Sequence, residues 1–198
     1  MLQDRFKEIR DEVLEAQKRV RIPMLHEIEP TQTWETGGRW NTLLLRIYHV
    51  DVQENLALFP VLESILNTLP DVPTAMISVL QPGGHIQPHC GYYNGVLRYH
   101  LGILVPKVPK PPGRLGIRVA DQWSTWTEGG AIMFDDCFEH EVGAERPCPG
   151  PGRCCHAPCM SSNSLEAVCC SMPGGFSLAA LSRCGTTRRT LASSSSST

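Results

Sequence analysis

Two stretches of the chain repeat apolar residues near the period of an α-helix. Between residues 2 and 20, apolar side chains recur every three or four positions and charged side chains fill the positions between them, which is typical of an amphipathic helix. Pro23 limits this helix at its C-terminal end. Residues 55–69 repeat the pattern and predict a second helix, in which Pro60 marks an early turn or a kink.

Further along the chain the pattern predicts β-strands. Residues 42–50 are β-branched and apolar enough for a buried strand, and after Pro73 the apolar period changes to two. Glycine- and proline-rich joints separate the later segments. These predicted strands are Thr74–Leu80, Val96–Val105, Leu115–Ala120, Ser124–Trp126 and Ala131–Phe134. Two helices followed by many short strands predict a mainly β domain, a sandwich or barrel with helices on one outer face.

The last quarter of the chain differs in composition from the rest. After residue 146 there are four arginines and a single acidic residue, Glu166, whereas the whole chain has 18 Lys and Arg against 20 Asp and Glu. The same stretch holds all but two of the nine cysteines and a single aromatic residue, Phe176. So few large apolar residues bury too little surface to fold. We therefore predict one domain over residues 1–146 and a disordered, Cys-, Ser-, Pro- and Gly-rich tail over residues 147–198.

Charge and hydropathy exclude several classes of partner. The formal net charge is −2 and the isoelectric point is about 6.4, which argues against a protein that binds nucleic acid through bulk charge. The chain has no run of apolar residues long enough to span a membrane, and no apolar stretch after Met1 that would indicate a secretory signal. A cytoplasmic location is the default expectation.

One predicted strand, residues 96–105, places a cation and an imidazole side by side. By alternation Tyr99 and Leu101 share the apolar face, whereas Arg98 and His100 share the other. If this second face lines a barrel, the buried guanidinium requires an anionic partner. If the face is solvated, it requires none. The strand alone leaves both interpretations open.

Two histidines that follow predicted strands are candidate metal ligands. His89 ends the segment QPGGHIQPH, and His140 lies in the segment FDDCFEHE. In a closed double-stranded β-helix two such positions converge on one metal, and neutral imidazole is a good ligand for ferrous iron. Many non-haem iron oxygenases add a carboxylate two residues after the first histidine, and that position is Gly91 here. The predicted site therefore has two histidines plus water or cosubstrate, with purely structural histidines as the alternative.

Residues 78–142 resemble the aspartyl/asparaginyl β-hydroxylase family of 2-oxoglutarate oxygenases. The motifs that carry the resemblance are ISVLQPGGH at 77–85, PHCG at 88–91, LRYHLG at 97–102 and FDDCFEHEV at 134–142. A weaker resemblance extends upstream to the first predicted helix, so that it covers about residues 1–142. It implies a double-stranded β-helix (jelly-roll or cupin-like) and a dioxygenase that hydroxylates an Asp- or Asn-type side chain in a protein or peptide.

The resemblance also implies roles for individual residues. By their positions in the motifs, His89 and His140 bind Fe(II), Ser78, Arg98, Tyr99 and His100 hold the cosubstrate 2-oxoglutarate, and Trp34 is a looser match to an aromatic residue beside it. The family also has glycine at the position of Gly91. Fe(II), 2-oxoglutarate and O₂ are the implied cofactors, with no catalytic residue beyond the metal site. Family members are often anchored to membranes, and a partner other than the substrate is not implied.

The family pattern stops after Val142. The family continues into a closing strand whose arginine pairs with the distal carboxylate of 2-oxoglutarate, and residue 150, at the matching position, is glycine. Loss of such a charge-assisted contact weakens cosubstrate binding, and missing last strands leave open sheet edges. The alternative function is therefore a truncated, non-catalytic relative that acts as a binding or regulatory variant. A weaker alternative is a cupin-like barrel with redox-neutral chemistry.

Overall fold

The computed structural model describes residues 1–31, 39–92, 95–106, 115–144 and 165–173. The helices within these ranges are α1 (Phe6–Arg19), α2 (Leu25–Ile28), α3 (Gln53–Leu56) and α4 (Pro60–Leu66). The strands are β1 (Trp40–Ile47), β2 (Val50–Asp51), β3 (Thr74–Leu80), β4 (Ile86–His89), β5 (Val96–Leu104), β6 (Leu115–Val119), β7 (Gln122–Ser124), β8 (Ala131–Asp135), β9 (His140–Ala144) and β10 (Leu165–Pro173). The described chain is mainly β, as the sequence predicts.

The helices lie in the first third of the chain, as predicted. Helix α1 buries one apolar stripe that includes Ile9 and Val13. The predicted helix over residues 55–69 is instead two short helices, because Pro60 begins α4 as its first residue and has no N–H to continue a helix from α3. No helix of the described ranges is both long and apolar enough to cross a lipid bilayer.

The strands form two antiparallel sheets. The major sheet has the order β2-β1-β3-β10-β5-β8, and the minor sheet has the order β4-β9-β6-β7. From β3 onward, successive strands alternate between the two sheets, apart from the β6–β7 hairpin within the minor sheet. This alternation is the topology of a double-stranded β-helix, so the predicted fold class is confirmed.

Strand β10 corrects the predicted C-terminal part of the fold. From the sequence, the last strands are expected to be missing and residues 147–198 to be disordered, but residues 165–173 form a strand that pairs with both β3 and β5. Averaging the composition over the whole tail hides this short apolar segment, LEAVCCSMP. With β10 in place, β3 and β5 are joined through it rather than left as open edges. Residues 145–164 and 174–198 lie outside the described part of the chain.

The two faces of the major sheet carry different residues. Ile77, Tyr99 and Leu101 are buried on the convex face in one cluster with residues of α1 and α4. Arg98 and His100 lie on the concave face and line a cavity. The alternation predicted for the strand at 96–105 is thus confirmed, and its polar face lines the barrel instead of the outer surface.

Candidate active site

The two predicted ligand histidines lie next to each other across the minor sheet. His89 is the last residue of β4 and His140 is the first residue of β9, and the two are direct partners in the antiparallel register. Their ring centroids are 4.2 Å apart. The structure therefore brings together two residues that are far apart in the sequence.

Backbone hydrogen bonds determine which nitrogen of each ring carries the hydrogen. Nδ1 of His89 lies 2.7 Å from the carbonyl oxygen of Gln87, and Nδ1 of His140 lies 2.9 Å from the carbonyl oxygen of Phe138. A carbonyl only accepts, so each Nδ1 is the donor and the lone pair of each neutral ring is on Nε2. Burial lowers the pKa of His89 to about 4 and also lowers the pKa of His140. Both imidazoles are therefore neutral near pH 7, the state that ligates metals.

A carboxylate lies beside this pair. Asp136 is buried, and its Oδ2 accepts a hydrogen bond of 2.7 Å from Nε of Arg98. Its Oδ1 is buried without a hydrogen-bond partner among the described residues. A Cβ added to Gly91 would lie 2.4 Å from the Asp136 carboxylate, so this carboxylate occupies the space that a side chain at position 91 would need. The predicted requirement of Arg98 for an anionic partner is thus met within the chain by Asp136.

His100 lies deeper in the same cavity, between two aromatic rings. It stacks on Trp126 with a centroid distance of 6.0 Å and meets the edge of Phe134 at 5.1 Å. Burial lowers the pKa of His100 to about 3, so this ring is also neutral. Nε1 of Trp126 is buried and has no hydrogen-bond partner among the described residues. A buried indole N–H normally finds an acceptor, so a ligand with an acceptor atom fits here.

Ser78 accepts a hydrogen bond from a tryptophan that was not predicted as a site residue. Nε1 of Trp40 donates to Oγ of Ser78 at 2.9 Å, and both residues line the cavity. Because Oγ is the acceptor in this bond, the Ser78 hydroxyl hydrogen can donate to a ligand in the cavity. Trp34, the aromatic residue predicted beside the cosubstrate, lies outside the described residues.

All these side chains border one cavity of about 310 Å³. It contains both histidines of the minor sheet and the polar residues of the major sheet, Ser78, Arg98 and His100. A volume of this size is at the lower end of the range for small-molecule sites. The sequence motifs that lie apart along the chain therefore meet at a single concave site.

Comparison with known proteins identifies the family of this chain. The family model that matches is aspartyl/asparaginyl beta-hydroxylase, over residues 3–147. The chain belongs to this family.

Curated relatives cover this β-hydroxylase-family chain in part. The ornithine lipid ester-linked acyl 2-hydroxylase of Rhizobium tropici is 39% identical over 122 residues, which is 61% of this chain and 42% of the relative. The aspartyl/asparaginyl beta-hydroxylase of Homo sapiens is 46% identical over 65 residues, which is 33% of this chain and 8% of the relative. The chain thus spans less than half the length of both relatives. Among solved structures, a Pseudomonas putida prolyl-4-hydroxylase is similar with a TM-score of 0.44 and 13% identity, covering 85% of this chain and 86% of that one.

One predicted site residue of this family member is placed elsewhere. Tyr99 was expected with Arg98 and His100 on the cosubstrate side, but it is 8% exposed in the core cluster beneath the helices. Successive side chains of a strand point to opposite faces, so a residue between Arg98 and His100 cannot share their cavity. The assignment of Tyr99 to the cosubstrate is therefore wrong.

Three residues of the cavity were missed or read differently from the sequence. Asp136 lies in the turn before His140, and neither it nor Trp126 nor Trp40 is among the site residues predicted from the sequence. In the structure the turn is ordered by Asp135, whose Oδ1 accepts from the N–H of Cys137. Trp126 and Trp40 lie in or next to segments with a strand-like pattern. This pattern does not distinguish a residue that packs in the core from one that binds a ligand.

The cavity wall contains the donor types that ferrous iron takes in proteins. Two imidazoles with their lone pairs on Nε2 border the cavity, and so does one buried carboxylate oxygen that lacks a partner among the described residues. Two histidines and one carboxylate are the ligand types of non-haem iron oxygenases. Here the carboxylate comes from the turn before His140 and fills the space above Gly91.

Proposed function

We propose that this protein is an Fe(II)- and 2-oxoglutarate-dependent dioxygenase that hydroxylates a carbon atom of its substrate. The observation that carries the proposal is the in-register pair of neutral histidines, with their lone pairs on Nε2, in the cavity that also contains Arg98. In the reaction, a C–H bond, O₂ and 2-oxoglutarate become an alcohol, succinate and CO₂. One oxygen atom enters the alcohol and the other enters succinate.

His89, His140 and Asp136 are the residues proposed to hold the metal. When bound, ferrous iron supplies the activation of O₂ that the reaction requires. The hydrogen bonds from both Nδ1 atoms to backbone carbonyls fix the orientation of the rings and leave Nε2 as the metal-binding atom. The hydrogen bond from Arg98 to Asp136 holds the carboxylate in position.

Ser78, Arg98 and His100 are proposed to bind 2-oxoglutarate, and the geometry adds Trp126 as a fourth candidate. The cosubstrate carries two carboxylates and therefore needs several hydrogen-bond donors. The Ser78 hydroxyl, the neutral His100 ring and the Trp126 indole are donors on the cavity wall, and Arg98 adds positive charge. Ser78, Arg98 and His100 lie on the major sheet whereas the two histidines lie on the minor sheet, which supports this division of the cavity.

The substrate belongs to one of two classes. An Asp- or Asn-type side chain in a protein or peptide is the substrate predicted from the sequence, and the human relative is named for this reaction. An acyl chain is the second candidate because the relative from Rhizobium tropici, which covers more of this chain, is an acyl 2-hydroxylase by name. A cytoplasmic location stays a prediction.

Succinate formation tests the proposed function. Purified protein supplied with Fe(II), ascorbate and 2-oxoglutarate is expected to form succinate above the level of the His89→Ala variant. Succinate that stays at the level of that control contradicts the proposal and supports the non-catalytic alternative. Turnover that needs a metal but no O₂ supports a redox-neutral cupin-like reaction instead.

A further inference from the structure

The cavity extends beyond the candidate metal site along the concave face of the major sheet. In this direction its wall consists of apolar side chains from α2, β1, the turn after β1, and β3. We call this region the apolar arm. Its residues are Leu25, Ile28, Leu44, Ile47, Tyr48 and Met76.

The register of the major sheet gives the length of the apolar arm. Leu44 of β1 pairs with Met76 of β3. Residue 169 of β10 pairs with Met76 on one side and with His100 of β5 on the other. These four positions form one row across the sheet. Three spacings between adjacent strands correspond to about 14 Å from His100 to Leu44. The arm is therefore long enough for an extended chain that has one end at the metal site.

The chemistry of the apolar arm suits a hydrocarbon better than a peptide. The backbone groups of β1 and β3 are paired with neighbouring strands, so the floor of the arm has a sheet face and not an open strand edge. Each residue of a bound peptide brings an N–H and a C=O that need partners. The polar side chains at this end of the cavity are those of Thr74 and Glu29. An unbranched alkyl chain needs no such partners, and each buried methylene strengthens its binding roughly fourfold.

The mouth of the arm is formed by a strained turn. Tyr48 and His49 join β1 to β2 as a two-residue turn, and both have positive φ, 48° and 65°. Such turns usually contain Asn or Gly, because other side chains are strained in this conformation. The β1–β2 pairing holds Tyr48 in this strained conformation at the cavity mouth, where it is 65% exposed although it lines the cavity. Ile28, 37% exposed, lies at the same mouth.

We propose that the apolar arm binds one unbranched acyl chain of the substrate and directs a carbon of that chain toward His89 and His140. This inference rests on the proposed function and selects the acyl class over the Asp- or Asn-containing peptide. It assigns Met76 and Ile47 as residues that determine substrate specificity. Tyr48 covers the chain where it enters.

Binding of a fluorescent fatty acid to the metal-free protein tests this proposal without any turnover. The probe is dansyl-undecanoic acid, and its fluorescence gives the dissociation constant. Met76→Gln and Ile47→Gln are each expected to weaken binding about tenfold, because each places an amide against the chain. Met76→Leu is expected to keep the wild-type affinity. The matched control is Val50→Gln, since Val50 is 65% exposed on the same hairpin and does not line the cavity.

The outcomes separate this proposal from the proposed function. Displacement of the probe by dodecanoate in solution, or by phosphatidylcholine vesicles, supports the acyl site and identifies the source of the chain. Equal affinity of the wild type, the two Gln variants and Val50→Gln overturns it, as does displacement by an Asp- or Asn-containing peptide alone. Probe binding that is retained in a protein without succinate formation contradicts the dioxygenase function but leaves the acyl site intact. Circular dichroism confirms that each variant is folded.

Discussion

The ion pair between Asp136 and Arg98 makes a measurable prediction about both stability and metal affinity. In Asp136→Asn the side chain keeps its shape and one oxygen, but the negative charge is lost. The Asp136 side chain is 3% exposed and the Arg98 side chain is 23% exposed, so the pair is only weakly screened by water. Replacing the charged acceptor of such a hydrogen bond by a neutral acceptor lowers the free energy of unfolding by about 1–2 kcal/mol.

The same substitution acts on the metal site. Asp136 Oδ1 is the proposed third donor, and an amide is a weaker donor to ferrous iron than a carboxylate. We expect metal affinity to fall roughly 10–100-fold, the range found when a residue that supports a metal site is changed. Electron paramagnetic resonance of Mn(II) as a stand-in for Fe(II) measures this affinity, and urea unfolding of the metal-free protein measures the stability.

Asp135→Asn is the matched control, since it removes the same formal charge from the adjacent position. Asp135 Oδ1 accepts from the N–H of Cys137 and has no part in the proposed metal site. If Asp136→Asn and Asp135→Asn have equal stability and equal Mn(II) affinity, Asp136 is an ordinary turn residue. The three-donor site would then be refuted.

Three further substitutions or deletions test other parts of the account. Gly91→Ala places a Cβ 2.4 Å from the buried Asp136 carboxylate. We expect this substitution to lower the free energy of unfolding in urea by about 1–3 kcal/mol. An unchanged unfolding midpoint contradicts the packing of this carboxylate against residue 91. Trp126→Phe keeps an aromatic ring but removes the indole N–H. We expect the 2-oxoglutarate concentration for half-maximal succinate formation to rise about fivefold, which corresponds to the loss of one hydrogen bond. The Fe(II) affinity is expected to stay unchanged. Deleting residues 165–198 removes β10 from between β3 and β5 and is expected to abolish cooperative thermal unfolding, whereas a normal melting transition would show that the barrel does not depend on this strand.

The sequence pattern predicts those elements whose apolar periodicity is undisturbed. Strand β3 has the predicted bounds, Thr74–Leu80, and β5 ends one residue before its prediction. In both strands one face packs under the helices and the other lines the cavity, so the alternation is strict. The same alternation excludes Tyr99 from the cavity, although the motif around it led to the opposite assignment.

The strands that carry the histidines were not predicted as strands. Strand β4 has the sequence IQPH, and β9 has the sequence HEVGA. Short strands that contain proline, glycine and charged residues lack the apolar alternation by which strands are recognised. Only the motifs around His89 and His140 indicated that these positions matter. Their direct pairing depends on the barrel closing and is therefore a property of the whole fold.

Long-range contacts account for what the sequence did not reveal at the site. The partner of Arg98 is Asp136, which lies 38 positions further along the chain. Strand β10 inserts between β3 and β5 by pairing with residues about 60–100 positions earlier in the chain, and register of this kind is not encoded locally. The residue types of the site were thus predictable from the sequence, but their pairing was not.

Anaerobic titration with Fe(II) and 2-oxoglutarate tests the central claim most directly. Chelation of 2-oxoglutarate by protein-bound Fe(II) produces a visible absorption band that neither component produces alone. We predict this band in the wild type at one Fe(II) per chain, and its loss in both His89→Ala and His140→Ala. A band that persists in either variant, or a wild-type protein that binds no Fe(II), would contradict a shared iron site at these two histidines.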